Sequence, residues 1–371
     1  MTEQETLYVM ALTMALRHQP KVQRTLFDVL GSGQVIYECR HDLGRRFESL
    51  SSRIAENVLL MDGFLPQCEA ELAYIRKHKI RILGITDDDY PARLRQCEDA
   101  PLLLYTLGAL DLNATHVLGI VGTRRCTERG RDLCTSLIKG LSKAVPDALI
   151  ISGLAYGIDV AAHRGALATG MPTAGVLAHG LDELYPRSHR QTAIEMLARG
   201  GLVTEFTSHT PVERLNFLQR NRLVAGMADA VVVVESPQRG GSLNTARLAA
   251  EYNRDVFAFP GRPTDVSSEG CNLLIRRNGA ALITCAEDVL DDLGWQQASP
   301  CPDAQQLLFP ELTAEEQQIV DVMSRSDDDI ELADLSHALS LPPYKLTPLM
   351  LTLELKGVVR VLSGGRYHLV H

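Results

Sequence analysis

The stretch Val117-Leu118-Gly119-Ile120-Val121-Gly122-Thr123-Arg124-Arg125 decides the fold. A short apolar run ends in a glycine, two arginines follow, and a helical pattern sets in from about Glu128. A strand buried on both faces of a parallel sheet reads as such a continuous run, and the glycine lets the chain turn into the next helix.

The same unit recurs on both sides. Apolar runs at 116–121, 148–151, 172–178, 201–205, 230–235, 255–259 and 281–283 alternate with helical segments. That alternation predicts an α/β domain, an extended Rossmann-like, doubly wound and mostly parallel sheet. Upstream, the first 80 or so residues carry helical periodicity, including Leu26-Phe27-Asp28-Val29-Leu30-Gly31-Ser32-Gly33, which looks like a helix-hairpin-helix or SAM-like element. A glycine turn of this kind can present backbone N–H groups to a phosphate, or serve helix packing alone. Downstream, residues 296–311 are rich in proline and glutamine and lack periodicity, the mark of a linker. Thr313-Ala314-Glu315-Glu316 then forms a capping box. Helices at 331–339 and 344–356, and strands at 358–362 and 367–370 around Ser363-Gly364-Gly365, complete a winged helix. The expected organisation is therefore 1–80 helical, 81–295 Rossmann-like, 296–311 linker and 312–371 winged helix.

Charge is distributed unevenly. The 371-residue chain has a formal net charge of -9, yet residues 115–280 hold 19 Lys+Arg against 15 Asp+Glu, which leaves -13 for the rest. Seventeen of those 19 cations are arginine, whose planar fork pairs with two phosphate oxygens at once. The expected recognition helix of the winged helix carries only Lys345 and Lys356 as cations, which favours protein interaction over base reading. The eight cysteines form no CxxC pair, so neither a zinc site nor a disulfide framework is expected. No run approaches the roughly 18 apolar residues of a membrane helix. The acidic start Met1-Thr2-Glu3-Gln4-Glu5 does not read as a signal peptide, so a cytoplasmic location is expected.

In an open parallel sheet, ligands bind beyond the carboxyl ends of the strands. Five loops fall there, and each combines short or glycine residues with a cation: Gly122-Thr123-Arg124; Ser152-Gly153-Leu154-Ala155-Tyr156-Gly157-Ile158-Asp159, which enters a helix containing Arg164; Gly180-Leu181-Asp182-Glu183-Leu184-Tyr185-Pro186-Arg187; Arg220-Asn221-Arg222; and Arg239-Gly240-Gly241-Ser242. None is the GxGxxG of a dinucleotide site, so no cofactor is expected. Arginine beside glycine and an aromatic suits phosphate pairing with base stacking, for which Tyr185 and Phe217 are candidates. His163 reads as a packed helix histidine rather than a catalyst.

Taken in order, these strings resemble the DNA-processing protein A (DprA/Smf) family, and the resemblance covers essentially the whole chain. It implies a protein that binds single-stranded DNA, protects incoming DNA during natural transformation and loads the RecA recombinase, acting as a homodimer through the Rossmann domain and not as an enzyme. Carried over by motif, the DNA/phosphate-binding residues would be Gly122, Thr123, Arg124, Ser152, Gly153, Gly180, Tyr185, Arg187, Arg220, Asn221, Arg222, Gly240, Gly241 and Ser242. The sequence departs from the family's usual pattern at Thr123, His189 and Leu218, which bears on local loop geometry.

The main rival is a nucleotide-processing enzyme resembling the LOG phosphoribohydrolases. Their PGGxGTxxE motif ends in a catalytic glutamate, where this chain offers Arg247 or Leu248, with Glu251 a turn further on. A serine hydrolase assembled from Ser242, His179 and Asp182 lacks the GxSxG elbow.

Overall fold

The computed structural model describes residues 1–47, 50–295, 312–324, 330–339, 341–356, 358–362 and 366–369. The chain divides into two compact units, 1–297 and 298–371.

The first unit is built on a nine-stranded sheet: β1 (Arg81–Gly84), β2 (Leu103–Gly108), β3 (Val117–Val121), β4 (Leu149–Ser152), β5 (Thr173–Val176), β6 (Gly201–Thr204), β7 (Ala230–Val233), β8 (Asp255–Ala258) and β9 (Ala281–Leu282). Their order is β1-β2-β6-β5-β4-β3-β7-β8-β9. From β6 across to β9 every neighbouring pair is parallel, whereas β1 pairs β2 and β2 pairs β6 antiparallel. The seven runs read from the sequence are the seven parallel strands; β1 and β2 extend the sheet beyond them. The chain walks outward from β3 to β6, returns to the centre, and walks the other way from β7 to β9. The reversal between β3 and β7 is a topological switch point, where the two following loops diverge and leave a crevice.

Side chains alternate between two cores, as the pleat requires. Leu118, Ile120, Ala230 and Val232 meet the helices Glu128–Ala144, Ile158–Thr169 and Ala286–Asp292 on one face. Val117, Val121, Val231 and Val233 face the helices Arg214–Met227 and Gly241–Glu251 on the other. Fully burying each such valine is worth about 1.5 kcal/mol or more. The second core runs on without a break into the amino-terminal helices, which begin with Glu3–Ala15 and end with Met61–His78.

The hairpin at Gly31 is resolved in detail. Helix Pro20–Leu30 closes on Gly31 in the left-handed region (φ 77°), and Ser32 caps helix Gly33–Glu38. The Glu5 carboxylate accepts bonds from Gly33 N (2.5 Å), Gln34 N (3.1 Å) and the Ser32 hydroxyl (2.8 Å), so the donors a phosphate would use are already engaged.

In the second unit, helices Ala314–Met323, Leu332–Leu339 and Pro343–Leu355 pack on a three-stranded antiparallel sheet of β10 (Ile330–Glu331), β12 (Arg366–Leu369) and β11 (Val359–Leu362). Its core is Ile319, Met323, Leu335, Leu346, Met350 and Leu353. The Thr313/Glu316 capping box is present, and Lys356 donates to Glu316 at 2.6 Å. Glu331, expected to open a helix, instead pairs with Arg366 in the sheet, and the helix starts one residue later. The 296–311 segment and the Ser363-Gly364-Gly365 turn lie outside the described residues. No helix among the described residues is long and apolar enough to cross a membrane.

Candidate nucleic-acid interface

A cleft of about 860 Å³ opens over the carboxyl ends of β3 and β7, at the switch point. Gly122, Thr123, Arg124, Tyr185, Arg220, Asn221, Gly240, Gly241 and Ser242 line it, together with Arg214, Phe217 and Arg239.

Its floor is Arg220, only 4% exposed, with its Nη1 3.9 Å from Asp159 Oδ2 and its Nε without a hydrogen-bond partner among the described residues. Burial pushes the Asp159 carboxyl up, and the guanidinium beside it counters part of that rise. Gly153 makes room for this arginine: a Cβ there would stand 1.4 Å from Nη1. The residues read as a loop, Arg220-Asn221-Arg222, are helical, within Arg214–Met227. Positions two apart on a helix face different ways. Arg222 accordingly points away from the cleft, where it is buried against the Glu205 carboxylate and the Asp99 carbonyl.

One wall is the start of helix Gly241–Glu251. Among the described residues no side chain caps it, and a Cβ added at Gly241 would meet nothing within 4 Å. The start of an eleven-residue helix is the positive end of its dipole and attracts anions. Ser242 turns inward, its hydroxyl bonded to Ser236 at 2.8 Å.

The opposite wall is the first loop. Thr123 N donates to the Glu235 carbonyl (2.7 Å), while the Glu235 carboxylate accepts from Thr127 N and Oγ (both 2.8 Å). This buried glutamate, unremarked in the sequence beyond ending an apolar run, sets the loop that displays Arg124. The Arg124 guanidinium lies 4.9 Å from the Phe217 ring centroid, and Phe217 meets Tyr185 edge-on at 6.0 Å. The rim therefore joins a cation to two aromatic faces, Tyr185 being 43% exposed.

The remaining expected residues have other placements. Ser152 is fully buried and donates to the Ile120 carbonyl at 2.6 Å, so its hydroxyl tethers β4 to β3. Gly180 allows the close approach of the Thr207 carbonyl, 2.4 Å from where a Cβ would sit. Tyr185 N donates to His179 Nε2 (3.1 Å), which leaves the proton on Nδ1 for the Gly180 carbonyl (2.8 Å). Arg187, 88% exposed, pairs with Glu183 and lies outside the cleft lining. Asp159 pairs with Arg220, while Arg164 bonds Thr192.

The residues that the rival readings offer are held by other partners. Arg247 and Glu251 pair with each other on an exposed face and are not part of the cleft lining. His179 is held by Gly180 and Tyr185 rather than Ser242. His163 is fully buried and bonded to Thr173 (2.7 Å); burial, helped by nearby Arg220, pushes its imidazole down to about 3, so it is neutral packing.

Fold and cleft together define an open α/β protein with an arginine- and glycine-lined cleft at its switch point, built without a dinucleotide fingerprint. Residues 81–294 match the DNA recombination-mediator protein A family and 302–365 the DprA winged helix domain. The chain belongs to the DNA recombination-mediator protein A family. It is 39% identical over 237 residues to the putative DNA processing protein DprA of Mycobacterium tuberculosis, a match spanning 60% of each chain. It resembles the X-ray structure of DNA processing protein A from Streptococcus pneumoniae with a TM-score of 0.65 at 32% identity, covering 77% of this chain and 98% of that one. A DNA processing protein A from Helicobacter pylori, solved for its single-stranded DNA binding mode, matches with a TM-score of 0.52 at 28% identity, over 58% and 95% of the two chains.

Proposed function

We propose that this chain binds single-stranded DNA through the switch-point cleft, protects incoming DNA and loads the RecA recombinase onto it during natural transformation, acting as a homodimer through the Rossmann-like domain. The observation that carries the DNA reading is Arg220, buried in the cleft floor with a free Nε, beside the uncapped Gly241 helix start. A phosphate seated there meets a guanidinium and a helix start, and both favour negative charge. Arg124, Arg214 and Arg239 extend positive charge along the rim, and Tyr185 and Phe217 offer faces for unpaired bases. Bases are available for stacking only in a single strand, so the combination favours single-stranded over duplex DNA. The Helicobacter pylori relative supports the choice of ligand. Recombinase loading and dimerisation rest on family membership.

The test is competition in fluorescence anisotropy. A labelled unstructured oligonucleotide bound to the protein is expected to be displaced at least tenfold more readily by the same unlabelled strand than by its duplex. Equal displacement would refute the single-strand preference.

A further inference from the structure

A buried acid on the amino-terminal helices is bonded to the segment between β6 and the helix Arg214–Met227. Glu71, on helix Met61–His78, is 7% exposed. Its Oε1 accepts the Ser208 N–H at 2.8 Å and its Oε2 accepts the Ser208 hydroxyl. Burying a carboxylate costs solvation that an apolar side chain in the same core would not lose. The acid is thus poor packing but a specific anchor.

What it anchors is the segment that leads into the helix carrying the cleft floor. Ser208 lies on the connection from β6 to helix Arg214–Met227, which carries Phe217, Arg220 and Asn221. Its Cα lies 2.7 Å from where a Cβ on Gly180 would be, and the adjacent His209 N–H donates to Asp182 at 3.0 Å. Both contacts belong to the loop that presents Tyr185. Two further contacts come from the same helical region: His18 Nδ1 meets Gln219 Oε1 at 2.8 Å, and Arg17 lies 3.8 Å from Glu213.

We propose that Glu71 is a positioning residue for the cleft, and that the amino-terminal helices hold the Tyr185 loop and the Arg220 helix at the spacing that binds a strand. This rests on the DNA reading of the cleft given above. An acid in the core and two surface contacts then give the helical region a role in DNA affinity without any contact to DNA.

The experiment uses the full chain with Glu71→Ala and Glu71→Gln. Glutamine keeps both bonds, its oxygen accepting from Ser208 N–H and its amide donating to Ser208 Oγ, whereas alanine keeps neither. Glu71→Ala is expected to weaken binding of an unstructured oligonucleotide about tenfold with the salt dependence unchanged, because no phosphate contact is removed. Glu71→Gln should restore it. Hydrogen exchange of the free Glu71→Ala protein should quicken across residues 206–221 and stay unchanged across 230–258. Wild-type exchange at 206–221, or affinity lost equally in both variants, would overturn the proposal. Because the exchange readout needs no DNA, it separates failure of the brace from failure of the DNA reading, which would show as no binding by the wild type.

Discussion

Two helices of this chain start from glycine turns of similar composition, Gly31-Ser32-Gly33 and Gly240-Gly241-Ser242, and they present opposite chemistry. At the first, Glu5 has filled the helix start with the chain's own carboxylate. At the second, the start is uncapped, opens into an 860 Å³ cleft and faces a buried arginine. Glycine and the positive end of a helix dipole favour an anion seat in both places. A residue remote in sequence, Glu5 in one case and Arg220 in the other, decides whether the seat is taken or offered.

The largest effect in this comparison should come from Arg220→Ala. It removes the cation facing the open seat and leaves Asp159 buried without its partner, a loss of about 3–5 kcal/mol of stability. Urea unfolding should register that loss, and adding Asp159→Asn should recover part of the stability but none of the DNA affinity. Glu5→Ala is next. It strips three bonds to a charged acceptor from the filled seat and should cost about 1.5–3 kcal/mol in the same measurement. DNA affinity should stay unchanged; a clear rise would reveal the hairpin as a second seat and dissolve the contrast. Smaller still is Gly241→Asp, which fits the open space and gives the second seat a carboxylate of its own. It should weaken oligonucleotide binding about tenfold while adding about 0.3–1 kcal/mol of helix stability through the dipole. Gly241→Ala, which adds bulk without charge, should leave binding near wild type.

Much of this was legible in the sequence. The seven parallel strands are, for the most part, buried on both faces, so their apolar runs stand out, and the loops after β3 and β7 could be found from them. β1 and β2 were not legible, because antiparallel strands at the end of a sheet lack the following helix that marks a βαβ unit. Within the site, Arg124 and the Gly240-Gly241 turn were readable because each sits where a strand's carboxyl end delivers it. Arg220 and Arg222 look alike in the sequence and diverge in space: two residues on a helix turn one into the cleft and the other onto Glu205. Ser152 has the composition of a phosphate donor, yet its hydroxyl is engaged by the Ile120 carbonyl 32 residues away. Glu235 and Glu71 left no local signal, since what they hold is set by the tertiary fold.

The proposed binding mode holds the phosphates of a single strand on arginines at the switch-point cleft. It is tested most directly by the anisotropy of a labelled, unstructured oligonucleotide across a salt series, with wild type and Arg124→Ala side by side. Log affinity should fall linearly with log salt, by about 0.7 per phosphate neutralised, and Arg124→Ala should bind all sequences more weakly with a slope shallower by about one contact. Absence of binding at low salt, or an Arg124→Ala protein whose affinity and slope match the wild type, would contradict it.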